Sequence, residues 1–302
     1  MDSGVRVEIA GEGLRENPGS ARVSPGYAAV GLSDWWRQLE GAPRSVLMLD
    51  YDGTLAPFVR ERMQAKMYPG VMERLFRLAF APRTRLVVVS GRPARDFATL
   101  LPPELHIEIW GSHGCEHITA DGQYFATPLS TTEQRCLAEL ESELVRHGFG
   151  AVIEKKTGSL AMHTRGLGES DAARVRALGE NFDCSLLAGG SGERGLELLP
   201  FDGGIELRGS GCSKASAVGS ILRDEPRDAP AAFLGDDVTD EEAFAALANR
   251  GAEARSLRVL VRPEPRPSTA DLWLSPPGEL LAFLDRWVAA VGGTHEAGEV
   301  RR

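Results

Sequence analysis

The chain has 302 residues, 42% of them apolar and 25% charged, the balance of a soluble globular protein with room for a core and a second unit. Its 34 Lys and Arg against 43 Asp and Glu give a formal charge of −9, which argues against a general nucleic-acid binder but not against a phosphorylated small molecule held by a metal and local cations. No apolar run approaches the roughly 18 residues of a membrane-spanning helix, and the start of the chain lacks a signal-peptide pattern.

The four cysteines, Cys115, Cys136, Cys184 and Cys212, are widely spaced and show no CxxC pair, so reduced thiols and a cytoplasmic location are expected. Residues 1–31, rich in Gly, Ser and charge, read as a mobile leader. Ser33 to Glu40 reads as a short capped helix whose paired Trp35 and Trp36 pack at a core edge. The run Val46-Leu47-Met48-Leu49 has the continuous apolar character of a strand buried on both faces, and it leads straight into Asp50-Tyr51-Asp52-Gly53-Thr54-Leu55. In open α/β sheets ligands bind beyond the carboxyl ends of strands, which places Asp50 and Asp52 at such a rim. Gly53 permits a tight turn or a close backbone approach to an anion, and Thr54 adds a hydroxyl. Two readings stand open here: a strand followed by an Asx-type turn, or a carboxylate nucleophile beside a second carboxylate serving as acid and base.

Pro57 to Met67 reads as a polar loop, followed by a helix over Val71 to Phe80 with an apolar stripe at Val71, Leu75, Leu78 and Ala79. Arg85 to Val89 forms a second buried strand ending in Ser90-Gly91-Arg92, and Pro93 starts a helix. Ser90 is therefore placed where a helix N-terminus favours an anion, a position compatible with simple capping as well. His106 to Trp110 reads as a third strand, stopped by Gly111-Ser112-His113-Gly114, with His113 either a loop residue or a substrate contact.

From about Leu129 the rhythm changes. Ser130 to His147 reads as an amphipathic helix. Ala151–Lys156 and Leu160–Arg165 read as a hairpin around Thr157-Gly158-Ser159, with Leu160, Met162 and Thr164 on one face and His163 and Arg165 on the other. A helix over Glu169 to Phe182 and short strands near Leu196–Leu199 and Gly204–Leu207 complete an α-β-β-α-β-β block inserted into the first domain. Its polar face, Glu154, Lys156, His163 and Arg165, is either a solvated sheet surface or a set of hydrogen-bonding groups for a polyhydroxylated substrate.

The core resumes with Ser213 as cap of a helix to about Arg223, which puts Lys214 in the first turn. A cation there is better placed if it holds an anion. Ala231 to Gly235 reads as a buried strand ending at Asp236-Asp237-Val238-Thr239-Asp240. Asp236, Asp237 and Asp240, three aspartates within five residues at a strand end, have the chemistry of a hard-cation site; the other reading is an acidic run opening the following helix, with Asp240 as its cap. Strands at Arg258–Val261 and Asp271–Leu274, a helix over Pro277 to Val291 and a polar tail finish the chain.

Strand ends carrying Asp50/Asp52, Ser90, Lys214 and Asp236/Asp237/Asp240, in that order, resemble the haloacid dehalogenase superfamily of phosphohydrolases. A narrower likeness is to the trehalose-6-phosphate phosphatases, carried by Leu49–Leu55, Ser90-Gly91-Arg92, Gly111–Glu116, the Glu154-Lys155-Lys156 and His163-Thr164-Arg165 pair, and Gly235–Phe244. The resemblance implies an α/β fold with a Rossmann-like parallel-sheet core (32–128 and 209–292) and an inserted α+β cap (129–208), followed by a tail (293–302). It also implies Mg2+-dependent hydrolysis of trehalose 6-phosphate through an aspartyl-phosphate, by a monomer with no nucleic-acid or membrane partner. Other phosphorylated sugars, or a non-catalytic regulatory domain, are the alternatives. Asp50 would be the nucleophile and Asp52 the acid/base; Gly53, Thr54, Ser90, Gly91 and Lys214 would hold the phosphoryl group. The metal would be bound by Asp50, Asp52 (through its carbonyl), Asp236, Asp237 and Asp240. Arg92, His113, Glu154, Lys156, His163, Arg165 and Glu206 would contact the sugar. Two departures from the family pattern, Gly209 after Glu206-Leu207-Arg208 and Ala215 after Lys214, fall at the return from cap to core and bear on substrate identity.

Overall fold

The computed structural model describes residues 7–9, 12–14, 25–59, 64–184, 196–201, 203–251 and 254–292. The expected tail, much of the expected leader and part of the loop after Pro57 lie outside them. The chain divides into two compact units, one of Met1–Val88, Pro103–Ile107 and Val218–Arg302, the other of Val89–Pro102 and Glu108–Ala217.

The first unit is built on a parallel sheet. Its strands β3 (Ser45–Leu49), β4 (Thr84–Val89), β12 (Ala231–Gly235), β13 (Ser256–Val261) and β14 (Leu272–Leu274) lie in the order β14-β13-β12-β3-β4. Every residue of β3 and β12 is buried, as the unbroken apolar runs require of strands covered on both faces. Helix α2 (Val71–Ala79) buries Val71, Leu75 and Leu78 of the expected stripe, while Ala79 is half-buried. Helices α7 (Glu241–Ala248) and α8 (Gly278–Val291) follow β12 and β14.

Helix α1 runs Pro25–Gly41, longer than the expected turn or two, and starts inside the stretch expected as leader. Before it comes a small hairpin of β1 (Val7–Ile9) and β2 (Glu12–Leu14). The tryptophans of α1 sit in the core. Trp36 is 5.1 Å from Phe283 and Trp35 is 5.4 Å from Trp287 (ring centroids), so both rings bury against α8.

The second unit holds the short helix α3 (Ala94–Ala98) and an antiparallel meander of β5 (Glu108–Gly111), β6 (Glu116–Ile118) and β7 (Tyr124–Ala126). The last two strands were not expected. Each has three residues, too few for a period-2 signal to stand out. After them, helix α4 (Thr131–Arg146) begins on a capping box in which Ser130 and Glu133 satisfy each other's backbone amides. The strands β8 (Ile153–Lys156), β9 (Ser159–His163), β10 (Glu197–Phe201) and β11 (Gly204–Arg208) make an antiparallel sheet in the order β10-β11-β9-β8. Against it lie α4 and α5 (Glu169–Glu180). Leu160 and Met162 of β9 pack with Leu140 and Leu144 of α4, Val175 of α5 and Ile205 of β11, as the face division of the hairpin requires. Helix α6 (Lys214–Arg223) leaves this unit for the first.

The cysteines depart from expectation: Cys115 is paired with Cys212, and Cys136 with Cys184. Their Cα atoms stand 4.5 and 5.7 Å apart, inside the range a disulfide spans. Sequence separations of 97 and 48 hid the pairing, because only the fold makes such distant residues neighbours.

Candidate functional site

In the first unit the loop after β3 places its groups by backbone bonds. The Asp50 amide donates to Leu234 O, tying the end of β3 to β12. The amides of Thr54, Leu55 and Ala56 all turn back to Tyr51 O, and Gly53 N–H donates to Ala56 O. Gly53 has φ +86, and a Cβ there would run into the Asp236 carboxylate, so glycine is required both by conformation and by space. Thr54 is buried and its hydroxyl points to Asp50 Oδ2 at 3.4 Å.

Beyond β12 the acidic run folds into a tight turn. Asp237 accepts from the Val238 amide and caps a single 3₁₀ turn. Asp240 occupies the N-cap position of α7, as the capping reading had it, but its side chain makes no capping bond there. Its Oδ2 accepts the amides of Asp236 and Asp237, both at 2.9 Å, because the intervening 3₁₀ turn swings the side chain back over the loop. Asp50, Asp236 and Asp240 are all buried and bring carboxylate oxygens within 4.8 Å of one another. Three converging hard oxygen donors with little water access fit an oxygen-preferring divalent cation. The carboxylates of Asp52 and Asp237 are not part of this trio. Tyr68 lies on the same unit, and burial together with Asp236 raises its phenol above the ordinary range.

In the second unit Ser90 is held by its backbone. Its amide donates to Trp110 O, its carbonyl accepts from His113 N–H, and its Oγ accepts from the Arg92 amide at 3.2 Å. The Arg92 carbonyl takes the Ser112 amide, so the Ser90-Gly91-Arg92 loop is stitched to the His113 loop; Arg92 itself is buried. Ser112 and His113 have φ of 48° and 55°, in the left-handed region that side chains seldom occupy. Gly91 lets the imidazole approach, since a Cβ there would stand 2.6 Å from His113 Cε1.

Lys156 is not on a solvated face. Its Nζ donates to Glu206 Oε2 at 2.7 Å with both side chains almost wholly buried, Ser159 Oγ donates to Glu206 Oε1, and His113 Nε2 stands 3.8 Å away. Burial opposes the charged form of Glu206, but the adjacent ammonium and the Lys156 and Ser159 bonds hold its carboxyl at about 2. Burial drives the His113 imidazole down to about 3; Glu206 works against this, and the cations Lys156, Lys214 and Arg208 add to it. The other candidates of this sheet separate. Glu154 pairs with His163 at 2.7 Å, about a third exposed, while Arg165 is exposed beside Gly203. Lys214 opens α6 and is buried, with Ser213 Oγ accepting the Ser216 amide as the expected cap. Among the described residues no helix is long and apolar enough to cross a membrane.

Two residues with site-building contacts had no role in the sequence reading. Glu116 was only a letter in Gly111–Glu116, and Thr157 only a turn residue. Their bond to each other joins segments 41 positions apart, and no local spacing reports that.

The family model described as Trehalose-phosphatase matches residues 48–274. A curated relative, an uncharacterized glycosyl hydrolase of Mycobacterium tuberculosis, is 30% identical over 242 residues, covering 76% of this chain and 17% of that protein. The trehalose-phosphate phosphatase of Mycolicibacterium paratuberculosis is 32% identical over 237 residues, covering 72% of this chain and 54% of that protein. The chain therefore spans well under two thirds of the length of these relatives. Among solved structures, Aspergillus fumigatus trehalose-6-phosphate phosphatase matches with a TM-score of 0.66 at 22% identity, over 85% of this chain and 97% of that one, a likeness of fold.

Proposed function

Because the chain belongs to the trehalose-phosphatase family, we propose that it is a phosphatase that hydrolyses trehalose 6-phosphate to trehalose and inorganic phosphate, with Asp50 as the nucleophile. The observation that carries the reading is the convergence of Asp50, Asp236 and Asp240 at the carboxyl ends of β3 and β12, in a fold where that edge is the ligand-binding edge. Asp50, Asp236 and Asp240 would hold Mg2+, together with the Asp52 carbonyl, while Asp237 supports the loop as a cap. When bound, such an ion offsets the negative charge of the phosphoryl oxygens.

Asp50 attacks phosphorus to give an aspartyl-phosphate, and the P–O bond to the sugar breaks. Asp52, two residues on and only partly buried, gives its proton to the departing sugar oxygen. It then takes a proton from the water that attacks the aspartyl-phosphate, which releases phosphate and restores Asp50. Thr54 has its hydroxyl beside Asp50, and Gly53, lacking a Cβ, leaves clear the space next to the Asp236 carboxylate; both would face the phosphoryl group. By the family resemblance Ser90, Gly91 and Lys214 would take the phosphoryl group, and Arg92, His113, Glu154, Lys156, His163, Arg165 and Glu206 the sugar.

The test is phosphate release from a panel of trehalose 6-phosphate, sucrose 6-phosphate, phosphorylated mannosylglycerate and glucose 6-phosphate, with Mg2+ and with chelator. Preference for trehalose 6-phosphate, lost with chelator and in Asp50→Asn, is expected. Release from another sugar alone moves the substrate assignment, and no release from any of them removes the phosphatase reading.

A further inference from the structure

Glu116 is 4% exposed and accepts four hydrogen bonds, each of 2.8 Å. Oε2 takes the Ala94 amide and the Ser112 hydroxyl, and Oε1 takes the Tyr124 and Thr157 hydroxyls. A carboxylate offers about four lone-pair sites, so this one is saturated. The four donors come from four separate segments. Ala94 opens α3 one residue past Ser90-Gly91-Arg92, after Pro93; Ser112 precedes His113, Tyr124 lies on β7, and Thr157 follows Lys156 in the β8–β9 turn.

These contacts close a ring. From Glu116 the path runs through Ser112 to His113, then to Glu206 at 3.8 Å, to Lys156 at 2.7 Å, and through Thr157 back to Glu116. The turn of the hairpin is also pressed against neighbouring atoms. Gly158 has φ +81, and a Cβ there would collide with the Cys115 sulfur, next to Glu116, and stand 2.6 Å from the Cys212 sulfur. A buried anion disfavours burial unless hydrogen bonds offset it, and here they hold its carboxyl below the ordinary range. A fold that needed only packing at this point could fill it with an apolar side chain.

We propose that Glu116 is a positioning residue that, through Thr157 and Ser112, fixes the Lys156–Glu206 pair relative to the His113 loop and so governs binding of the sugar half of a phosphorylated disaccharide. This rests on the phosphatase reading above. Glu116 and Thr157 touch neither the reacting phosphoryl group nor the sugar in this scheme; they act through Lys156, Glu206 and His113.

The test compares wild type, Thr157→Val, Thr157→Ser and Glu116→Gln on trehalose 6-phosphate and on p-nitrophenyl phosphate, which has no sugar. Thr157→Val keeps the side-chain shape and removes one donor. It is expected to raise KM for trehalose 6-phosphate about tenfold, the weight of a hydrogen bond to a charged group, while kcat and KM for p-nitrophenyl phosphate stay at wild-type values. Thr157→Ser restores the hydroxyl and the wild-type KM. Glu116→Gln presents an NH2 to donors and is expected to raise the disaccharide KM further. An equal loss on both substrates by soluble Thr157→Val protein, or an unchanged disaccharide KM, overturns the positioning role while leaving the phosphatase reading intact. Wild-type protein that turns over p-nitrophenyl phosphate and no phosphorylated disaccharide overturns the positioning role and the trehalose 6-phosphate assignment together.

Discussion

Acid should destabilise this protein earlier than its carboxylates alone would dictate, and His113 is the reason. Burial keeps the folded imidazole neutral down to about pH 3, against an ordinary value of 6.5 in the unfolded chain. The stability tied to the neutral form is complete above pH 6.5 and is lost as pH falls, because the unfolded state binds a proton that the folded state refuses. One proton of difference corresponds to about 1.4 kcal/mol per pH unit. Lowering the pH from 6.5 to 4.5 therefore removes roughly 2.5 kcal/mol, or about 5–10 °C of Tm for a chain of this size. Below 4.5 Glu206 adds a loss of its own, since its folded carboxyl titrates at about 2. Thermal melts of wild type and His113→Gln at half-unit steps between pH 7.5 and 4.5 isolate the histidine. The variant's Tm should fall less steeply in that window. Parallel slopes, or an NMR titration of the His113 imidazole with a midpoint near 6.5, would refute the reasoning.

Replacing Lys156 by Met leaves the Glu206 carboxylate buried without its 2.7 Å partner. The expected loss is about 3–5 kcal/mol in denaturant unfolding, much of it recovered in Lys156→Met/Glu206→Leu, where no charge is stranded. Asp240→Ala removes the acceptor of two backbone amides and should cost about 2–3 kcal/mol, read by thermal shift, and should abolish Mg2+-dependent phosphate release. Gly53→Ala sets a side chain at φ +86, worth roughly 1–2 kcal/mol, and also displaces the Asp236 carboxylate. A Mg2+ titration of activity should then show half-activation at a higher concentration than in wild type.

The parallel core was readable because its strands are pure. Val46–Leu49 and Ala231–Leu234 are apolar without interruption, and each ends in aspartates, so strand, rim and candidate ligands arrived in one pattern. The Leu160/Met162 face was equally plain, since it rests on spacing within a few residues. What escaped depends on long separations or very short elements. The meander strands β6 and β7 are three residues each. The cysteine pairs span 97 and 48 residues. Asp240 stood open between metal ligand and helix cap, because the 3₁₀ turn that carries it back over the loop leaves no mark in the residue pattern. For Lys156 the sequence left a solvated face and a substrate contact both open, and its buried partner Glu206 lies 50 residues away on β11.

The central claim is that the Asp50 carboxylate takes the phosphoryl group. Single-turnover reaction with trehalose 6-[32P]phosphate and Mg2+, quenched in acid within milliseconds and followed by peptide mapping, tests it directly. Label retained on the peptide that contains Asp50, and absent in Asp50→Asn, is the predicted result. Rapid turnover with no label on that peptide at any quench time, or full turnover by Asp50→Asn, would contradict it.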